Sequence, residues 1–382
     1  MSKSFEYLFI TRCLPYESGG TPITIRHFLQ NFDPETIVVL GRTVNPLKAI
    51  SKTEIKYKMV EIPTLQIKGL RLWRFLSIIP GIILGIFLIK KYKIKKIIGV
   101  YQDEGSLLTS YFISKLVKVD YFPYFMDLYK EYKRNNWQDK IADYYQPKIF
   151  KSARKVFCLT EGMHQYYLQN YNLNAVWLPF MQSAKKIIHT RKEKSSPFRI
   201  IFSGTVNDDR LYTLQLFIKA IENNKSVQMV FLSPQNKSFF INNAIWREDF
   251  EVKFCSNSDE ILSEMANCDL VYLPITYKTS SNNYDNLKTC FGTKNLEYLQ
   301  SGIPILVHSP KDFYNFQFYK KYECGYTLDT EDILEINEKL ETIIHDSIEE
   351  KNNLVSNSFK TLELFSTVNI LNRFYKTTSI NE

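Results

Sequence analysis

Lys294 and Glu297 stand three residues apart in FGTKNLEYLQSG, a spacing that puts both on one face of a helix. A lysine in the first turn adds a point charge to an anion-friendly helix end. A carboxylate one turn on can accept from the hydroxyl pair of a ribose. Together the two side chains can hold a nucleotide diphosphate. The same pair can also be an ordinary surface ion pair contributing ~0.2–0.5 kcal/mol. Their setting favours the ligand. An apolar strand over 270–273 runs into a polar stretch of roughly twenty residues, longer than ordinary connections. Phe291-Gly292-Thr293 then opens the short helix, Gly302 ends it, and the next strand follows over 303–307. Thr293, at the helix start, is a further candidate contact.

Other residues sit where ligands meet parallel sheets. The first strand, 5–10, runs into LPYESGG, and the paired Gly19 and Gly20 before a helix let backbone approach an anion closely. No GxGxxG and no GK[ST] accompanies them, so neither a dinucleotide fingerprint nor a Walker loop is present. A tight turn alone also explains the pair. IIFSGT at 200–205 ends a second such strand at Gly204, and Arg210 nearby is a bidentate phosphate donor. Asp208 and Asp209 precede it and compete for its charge. Asp127 in MDLY and Glu161 in LTEG each follow a strand and point to the ligand edge of a sheet. Either is equally at home as a helix cap or first-turn acid, Glu161 especially. The five histidines show no metal spacing, there is no DxD, and His308 reads as a satisfied loop histidine.

Short apolar strands alternate with amphipathic helices, which argues for parallel sheets covered on both faces. In the first half strands are expected over 5–10, 36–40, 58–61, 96–99, 121–126 and 156–159. Helices are expected over 21–30, 70–91, 105–115 and 139–151. QSAKKIIHTRKEKSSP at 182–197 is basic and polar and reads as a linker. The pattern restarts with strands over 199–203, 228–232, 252–254, 270–273 and 305–307. Helices are expected over 211–222, 259–266 and 294–300, and the chain from 332 on reads as mostly helical. The expected organisation is an α/β protein of two Rossmann-like doubly wound domains facing a cleft. The domains are 1–181 and 198–355, joined by the 182–197 linker, with a helical tail over 356–382 that packs back on the first domain.

The 382 residues are 45% hydrophobic and 15% aromatic, which excludes disorder and low complexity. Six scattered cysteines with no CxxC point to reduced thiols in a cytoplasmic protein, and the first residues lack a signal-peptide layout. Charge is segregated. Residues 1–190 hold 28 Lys and Arg against 14 Asp and Glu, while residues 191–382 hold 21 against 26. The densest basic cluster flanks the apolar run FLSIIPGIILGIFLI at 75–89, with Arg71 and Arg74 before it and Lys90, Lys91, Lys93, Lys95 and Lys96 after. Fifteen residues broken by Pro80, Gly81 and Gly85 are too few to span a bilayer. The run reads either as a buried core helix whose basic end lies on anionic lipid or as a helix wholly inside an α/β layer. No zinc-finger, RRM or basic-zipper signature supports nucleic acid.

At these residues the chain resembles a GT-B glycosyltransferase of the family 4-like group (glycosyl transferases group 1), in order over nearly its whole length. FGTKNLEYLQSGIPILV resembles that group's phenylalanine–proline–X–lysine–X–X–glutamate–tyrosine–leucine–X–X–glycine–X–proline signature. MDLY looks like its first-domain Asp-Leu-Trp loop, ARKVFCLTEGM like the strand ahead of its serine–glutamate turn, and IFSGT like the opening strand of its nucleotide domain. The group's earlier motif glutamate is replaced here by Thr289, and Arg210 is the single nearby candidate where a basic pair is usual. The resemblance implies a sugar moved from a nucleotide diphosphate donor to a glycan or lipid-linked acceptor, in surface polysaccharide synthesis, with retention of anomeric configuration. It implies no resident cofactor or metal. Donor contacts would come from Gly19, Gly20, Gly204, Arg210, Lys294 and Glu297. Asp127 would orient or deprotonate the acceptor, Lys294 would stabilise the leaving group, and Glu161 and Thr293 would line the cleft. The protein would be cytoplasmic, peripheral on the inner face of the membrane. Rival readings are a non-catalytic nucleotide-sugar-binding scaffold and a GT-B nucleotide-sugar epimerase, with a nucleic-acid binder ranked last.

Overall fold

The computed structural model describes residues 5–17, 20–43, 50–63, 73–181, 196–255, 257–278 and 283–379. Gly19, Arg71 and residues 182–195 of the expected linker lie outside the described residues. The chain divides into two compact units, Met1–Gln182 with Thr367–Glu382, and Ser183–Ser366.

The first unit's strands are β1 (Tyr7–Cys13), β2 (Ile37–Arg42), β3 (Lys58–Glu61), β4 (Lys96–Tyr101), β5 (Asp120–Phe125), β6 (Phe157–Cys158) and β7 (Val176–Trp177). They form one parallel sheet in the order β3-β2-β1-β4-β5-β6-β7. Its helices are α1 (Gly20–Leu29), α2 (Trp73–Leu76), α3 (Ile78–Tyr92), α4 (Glu104–Val117), α5 (Trp137–Ser152) and α6 (Glu161–Tyr171). β2 is buried throughout and β1 exposes only Arg12, as central strands covered on both faces must be. The strand order reverses direction between β1 and β4, which opens a ligand crevice beyond their carboxyl ends.

Two buried ion pairs tie that edge together. Arg42, ending β2, pairs with Asp103 after β4 and donates to Ser77 Oγ at 2.8 Å. Asp103 also caps α4 through the Ser106 amide at 3.0 Å. Next to it Glu104, fully buried, meets Arg134 at 3.4 Å, and Arg134 donates to Tyr101 Oη at 3.0 Å. Removing one member of such a pair strands a buried charge and costs about 3–5 kcal/mol.

The helix expected over 70–91 is two helices. The chain breaks at Ser77, the buried partner of Arg42, and α3 starts afresh. Nor is α3 a buried core helix. Gly81, Gly85, Leu88 and Ile89 face inward, while Ile79, Ile83 and Phe87 are 69%, 64% and 55% exposed. A β-carbon on Gly85 would collide with Ile113 of α4, so glycine sets how closely the two helices pack. The helix covers the sheet from outside, and among the described residues only one of its faces meets protein.

The second unit's strands are β8 (Phe198–Ser203), β9 (Val227–Leu232), β10 (Glu251–Lys253), β11 (Leu270–Pro274), β12 (Ile305–His308) and β13 (Tyr326–Leu328). They form a parallel sheet in the order β10-β9-β8-β11-β12-β13, so the reversal falls between β8 and β11. Its helices are α7 (Asp208–Ala220), α8 (Lys237–Asn242), α9 (Ser258–Ala266), α10 (Tyr284–Thr289), α11 (Lys294–Gln300), α12 (Tyr314–Lys321), α13 (Ile333–His345) and α14 (Ile348–Thr361). α10 occupies part of the stretch after β11 that the sequence presents as polar loop. It is held there by Tyr284, which donates to Asp312 at 2.7 Å, and by the Lys288–Asp312 pair at 3.0 Å.

After Ser366 the chain returns to the first unit as α15 (Thr367–Thr378). Phe374 is fully buried there, with ring centroids 5.3 Å from Tyr7, 5.1 Å from Phe32 and 5.6 Å from Phe157. A phenylalanine so enclosed contributes roughly 3–5 kcal/mol, so this last helix is part of the first unit's core.

Candidate functional site

In the second unit the residues singled out from sequence converge at the β8/β11 switch point. β8 runs directly into Gly204, whose φ of +123° is a conformation side chains rarely adopt. A β-carbon there would stand 3.1 Å from Arg210 Nη1 and 4.0 Å from Lys294 Cε. Two cations therefore flank one bare stretch of backbone. Like charges brought together disfavour each other until an anion sits between them.

Arg210 is half-buried, with its guanidinium 5.7 Å from the Phe202 ring centroid. Asp208 and Asp209, the acids beside it in sequence, form no ion pair with it, and among the described residues its guanidinium has no hydrogen-bond acceptor. Asp209 is occupied otherwise. Its backbone carbonyl accepts from the Thr276 amide at 2.8 Å, and burial raises its carboxyl above the usual range. A fork of N–H donors left unpaired beside bare backbone suits a diphosphate.

Lys294 donates to Glu297 Oε2 at 2.7 Å, and both side chains are mostly covered. The ammonium keeps further protons for a ligand, and Glu297 keeps its second oxygen. Thr293, at the head of α11, is exposed and its hydroxyl makes no cap. Thr289 is buried, and its hydroxyl donates back to the Asp285 and Asn286 carbonyls of its own helix.

Three anchors of this arrangement carry no obvious sequence signal. Tyr298 Oη donates to the Ser203 carbonyl at 2.8 Å and accepts from the Ser203 amide at 3.3 Å, bolting α11 to the end of β8. Burial pushes its phenol up to about 12, so it stays a neutral donor. Gln235 clamps Val206 from both sides, accepting from its amide at 2.7 Å and donating to its carbonyl at 2.9 Å. Asn295 donates to the Gly292 carbonyl at 3.0 Å and accepts from Tyr319 at 3.0 Å, which shapes the turn ahead of Lys294.

His308 at the end of β12 is structural. Its Nδ1 accepts from Tyr272 at 2.9 Å and its Nε2–H donates to the Thr330 carbonyl at 2.7 Å, and burial pushes it down to about 4. The unfolded chain thus binds a proton that the folded one refuses between about pH 6.5 and 4. Stability conferred by neutral His308 is complete above that window and falls as pH drops through it, by about 3 kcal/mol at most. Urea titrations from pH 7.5 to 4.5 should show this loss, and His308→Gln should flatten it.

No family model and no curated protein matches the sequence. Among solved structures, the chain is similar to HepE from Anabaena, a complex with UDP and glucose, with a TM-score of 0.71 at 12% identity over 99% of this chain and 100% of that one. It is similar to sucrose-phosphate synthase from Thermosynechococcus elongatus, with a TM-score of 0.70 at 13% identity over 98% and 99%. A glycosyltransferase from Rickettsia africae gives a TM-score of 0.68 at 12% identity over 99% and 100%. The fold is GT-B.

In this GT-B chain the first unit carries the remaining candidates. Gly20 opens α1, which follows the turn closed by the buried Glu17, an acceptor from the Leu14 amide at 3.0 Å. Asp127 follows β5 at the sheet's carboxyl edge. It is exposed, and desolvation raises its carboxyl above its ordinary value. It makes no hydrogen bond to a described residue. Glu161 is the first residue of α6, capped by Thr160, and is half-buried there. Its place is that of a first-turn acid. Among the described residues no three His, Cys, Asp or Glu side chains gather as metal ligands, and no helix is long and apolar enough to cross a membrane.

The glycine at 204 offers a direct check on the second-unit site. Gly204→Ala should weaken binding of a nucleotide diphosphate sugar at least tenfold in a calorimetric titration. It forces a β-carbon into the cationic pocket and strains the backbone by roughly 1–3 kcal/mol.

Proposed function

We propose that this protein is a glycosyltransferase that moves a sugar from a nucleotide diphosphate donor to a glycan or lipid-linked acceptor. The observation that carries the reading is the pairing of Arg210 and Lys294 across the bare backbone of Gly204. Similarity in fold to HepE, seen with UDP and glucose, supports the same donor class. In this reading the second unit holds the donor. Arg210, Lys294 and the backbone at Gly204 take the two phosphates, and Glu297 takes the ribose hydroxyls. As the bond from the anomeric carbon to the phosphate oxygen breaks, negative charge grows on the diphosphate while the sugar gains oxocarbenium character. Cations already in place then stabilise the transition state more than the ground state.

The first unit holds the acceptor, with Gly19, Gly20 and Glu161 as further contacts. Asp127 orients the attacking hydroxyl or takes its proton as the new glycosidic bond forms. Retention of the anomeric configuration is what the resemblance to the family 4-like group implies, with Thr289 in place of that group's earlier motif glutamate. The scheme includes no resident metal or cofactor. A role in surface polysaccharide synthesis, in a cytoplasmic protein at the inner face of the membrane, accords with the unbridged cysteines and the basic first half.

Calorimetric titration with a panel of nucleotide diphosphate sugars tests the reading. One donor class should bind, and Lys294→Ala and Glu297→Ala should both weaken it. A folded protein that binds no member of the panel would refute the assignment.

A further inference from the structure

We infer that the outer face of α3 is a membrane-docking surface, on which the first unit lies against anionic lipid. This deepens the membrane part of the proposed function and is independent of the donor site. Leu76, Ile79, Ile83 and Phe87 recur at helical spacing, and each is more than half exposed. Contiguous apolar side chains on an outer helix face mark an interaction surface. The helix is buried on its opposite face by α4, so no rotation hides the stripe without breaking the core.

Charge identifies the occupant. Lys90, Lys91, Lys93, Lys95, Lys115 and Lys118 are exposed around the carboxyl end of the stripe, and none has an acidic partner within 4.0 Å among the described residues. Lys91 instead leans over the Phe87 ring, 5.4 Å from its centroid. Leu116, 64% exposed at the end of α4, extends the apolar surface among these lysines. Apolar side chains ringed by unpaired ammonium groups match acyl chains beneath anionic headgroups. A protein partner would instead have to bury every ammonium with its own carboxylates.

The direction of α3 gives this surface a purpose. Its lysine-rich end leads into the start of β4, so its other end lies at the carboxyl edge of the sheet, where Asp127 follows β5. Phe75 packs there against Trp137, the rings tilted with centroids 4.8 Å apart, and Trp137 is 46% exposed. An indole at this edge suits the headgroup layer. Docked along α3, the first unit would hold its Asp127 edge beside the lipid surface, within reach of an acceptor anchored there.

The test uses the full chain without donor. Sedimentation with vesicles of phosphatidylcholine and phosphatidylglycerol at low salt should carry the protein down, and pure phosphatidylcholine should not. Ile79→Glu with Ile83→Glu and Phe87→Glu, and separately Lys90→Glu with Lys91→Glu and Lys93→Glu, should each weaken partitioning at least tenfold. Both variants should keep the wild-type melting temperature, because the changed side chains touch no core. Brominated lipid should quench wild-type fluorescence more than that of Trp137→Phe. Protein left in the supernatant at low salt, or variants that bind as wild type, would overturn the proposal. So would a reversible dimer that the apolar variant dissolves, which would make a second copy the occupant. Quenching unaffected by Trp137→Phe would overturn the orientation.

Discussion

Lys294→Ala should lower the rate of sugar transfer by ~10²–10³, the loss typical of one preorganised donor to a leaving group. The effect should appear mainly in kcat, because the interaction strengthens as charge accumulates on the departing diphosphate. Donor affinity should fall as well, since the ammonium and the Arg210 guanidinium share one ligand position at Gly204. The folded chain should be barely affected. The Lys294–Glu297 pair is partly exposed, and an i,i+3 pair on a helix contributes only about 0.2–0.5 kcal/mol. Steady-state kinetics beside a thermal melt separate the two roles. Unchanged kcat with a small drop in Tm would reduce the pair to a surface ion pair. Arg210 provides the internal comparison, because among the described residues it has no ion pair to lose and only its contact with the Phe202 ring ties it to the protein.

The second large effect is expected at Asp127. Asp127→Asn should reduce transfer by ~10²–10⁴ while leaving donor titration at its wild-type affinity, because Asp127 and the residues proposed to hold the donor belong to different units. The pH profile gives a readout that a structural role would not move. Desolvation raises this carboxyl above its usual 3.8, which disfavours the charged form that must accept the hydroxyl's proton or hydrogen bond. Activity should therefore fall as pH drops through a value above the ordinary carboxylate range, and the asparagine variant should lack that limb. A variant with full activity, or one that retains the limb, would remove Asp127 from the chemistry.

The alternation of strand and helix was legible because both periods are local. β3, α9 and α11 stand where apolar spacing and turn residues put them, within a residue at either end. The Lys294–Glu297 relation was legible for the same reason, since three residues on a helix determine which side chains are neighbours. The break at Ser77 was hidden because its cause, the buried Arg42 at the end of β2 and Asp103 at the head of α4, lies in two distant parts of the chain. The exposed stripe on α3 was hidden too. An apolar run of that length reads the same whether one face or every face meets protein, and Gly85 against Ile113 is what decides it.

By itself, then, the sequence determined two parallel α/β layers, the strand ends proposed as the ligand edge, and a lysine and glutamate on one helix face. Only tertiary structure decided what those residues do. It freed Arg210 from the aspartates beside it, brought it to Lys294 across Gly204, and bolted that geometry with Tyr298 and Gln235. It also set which residues of the tail enter the first unit's core, Phe374 of α15 against Tyr7, Phe32 and Phe157. Each of these is a contact between residues far apart in the chain, and such contacts depend on how whole elements pack rather than on any local period.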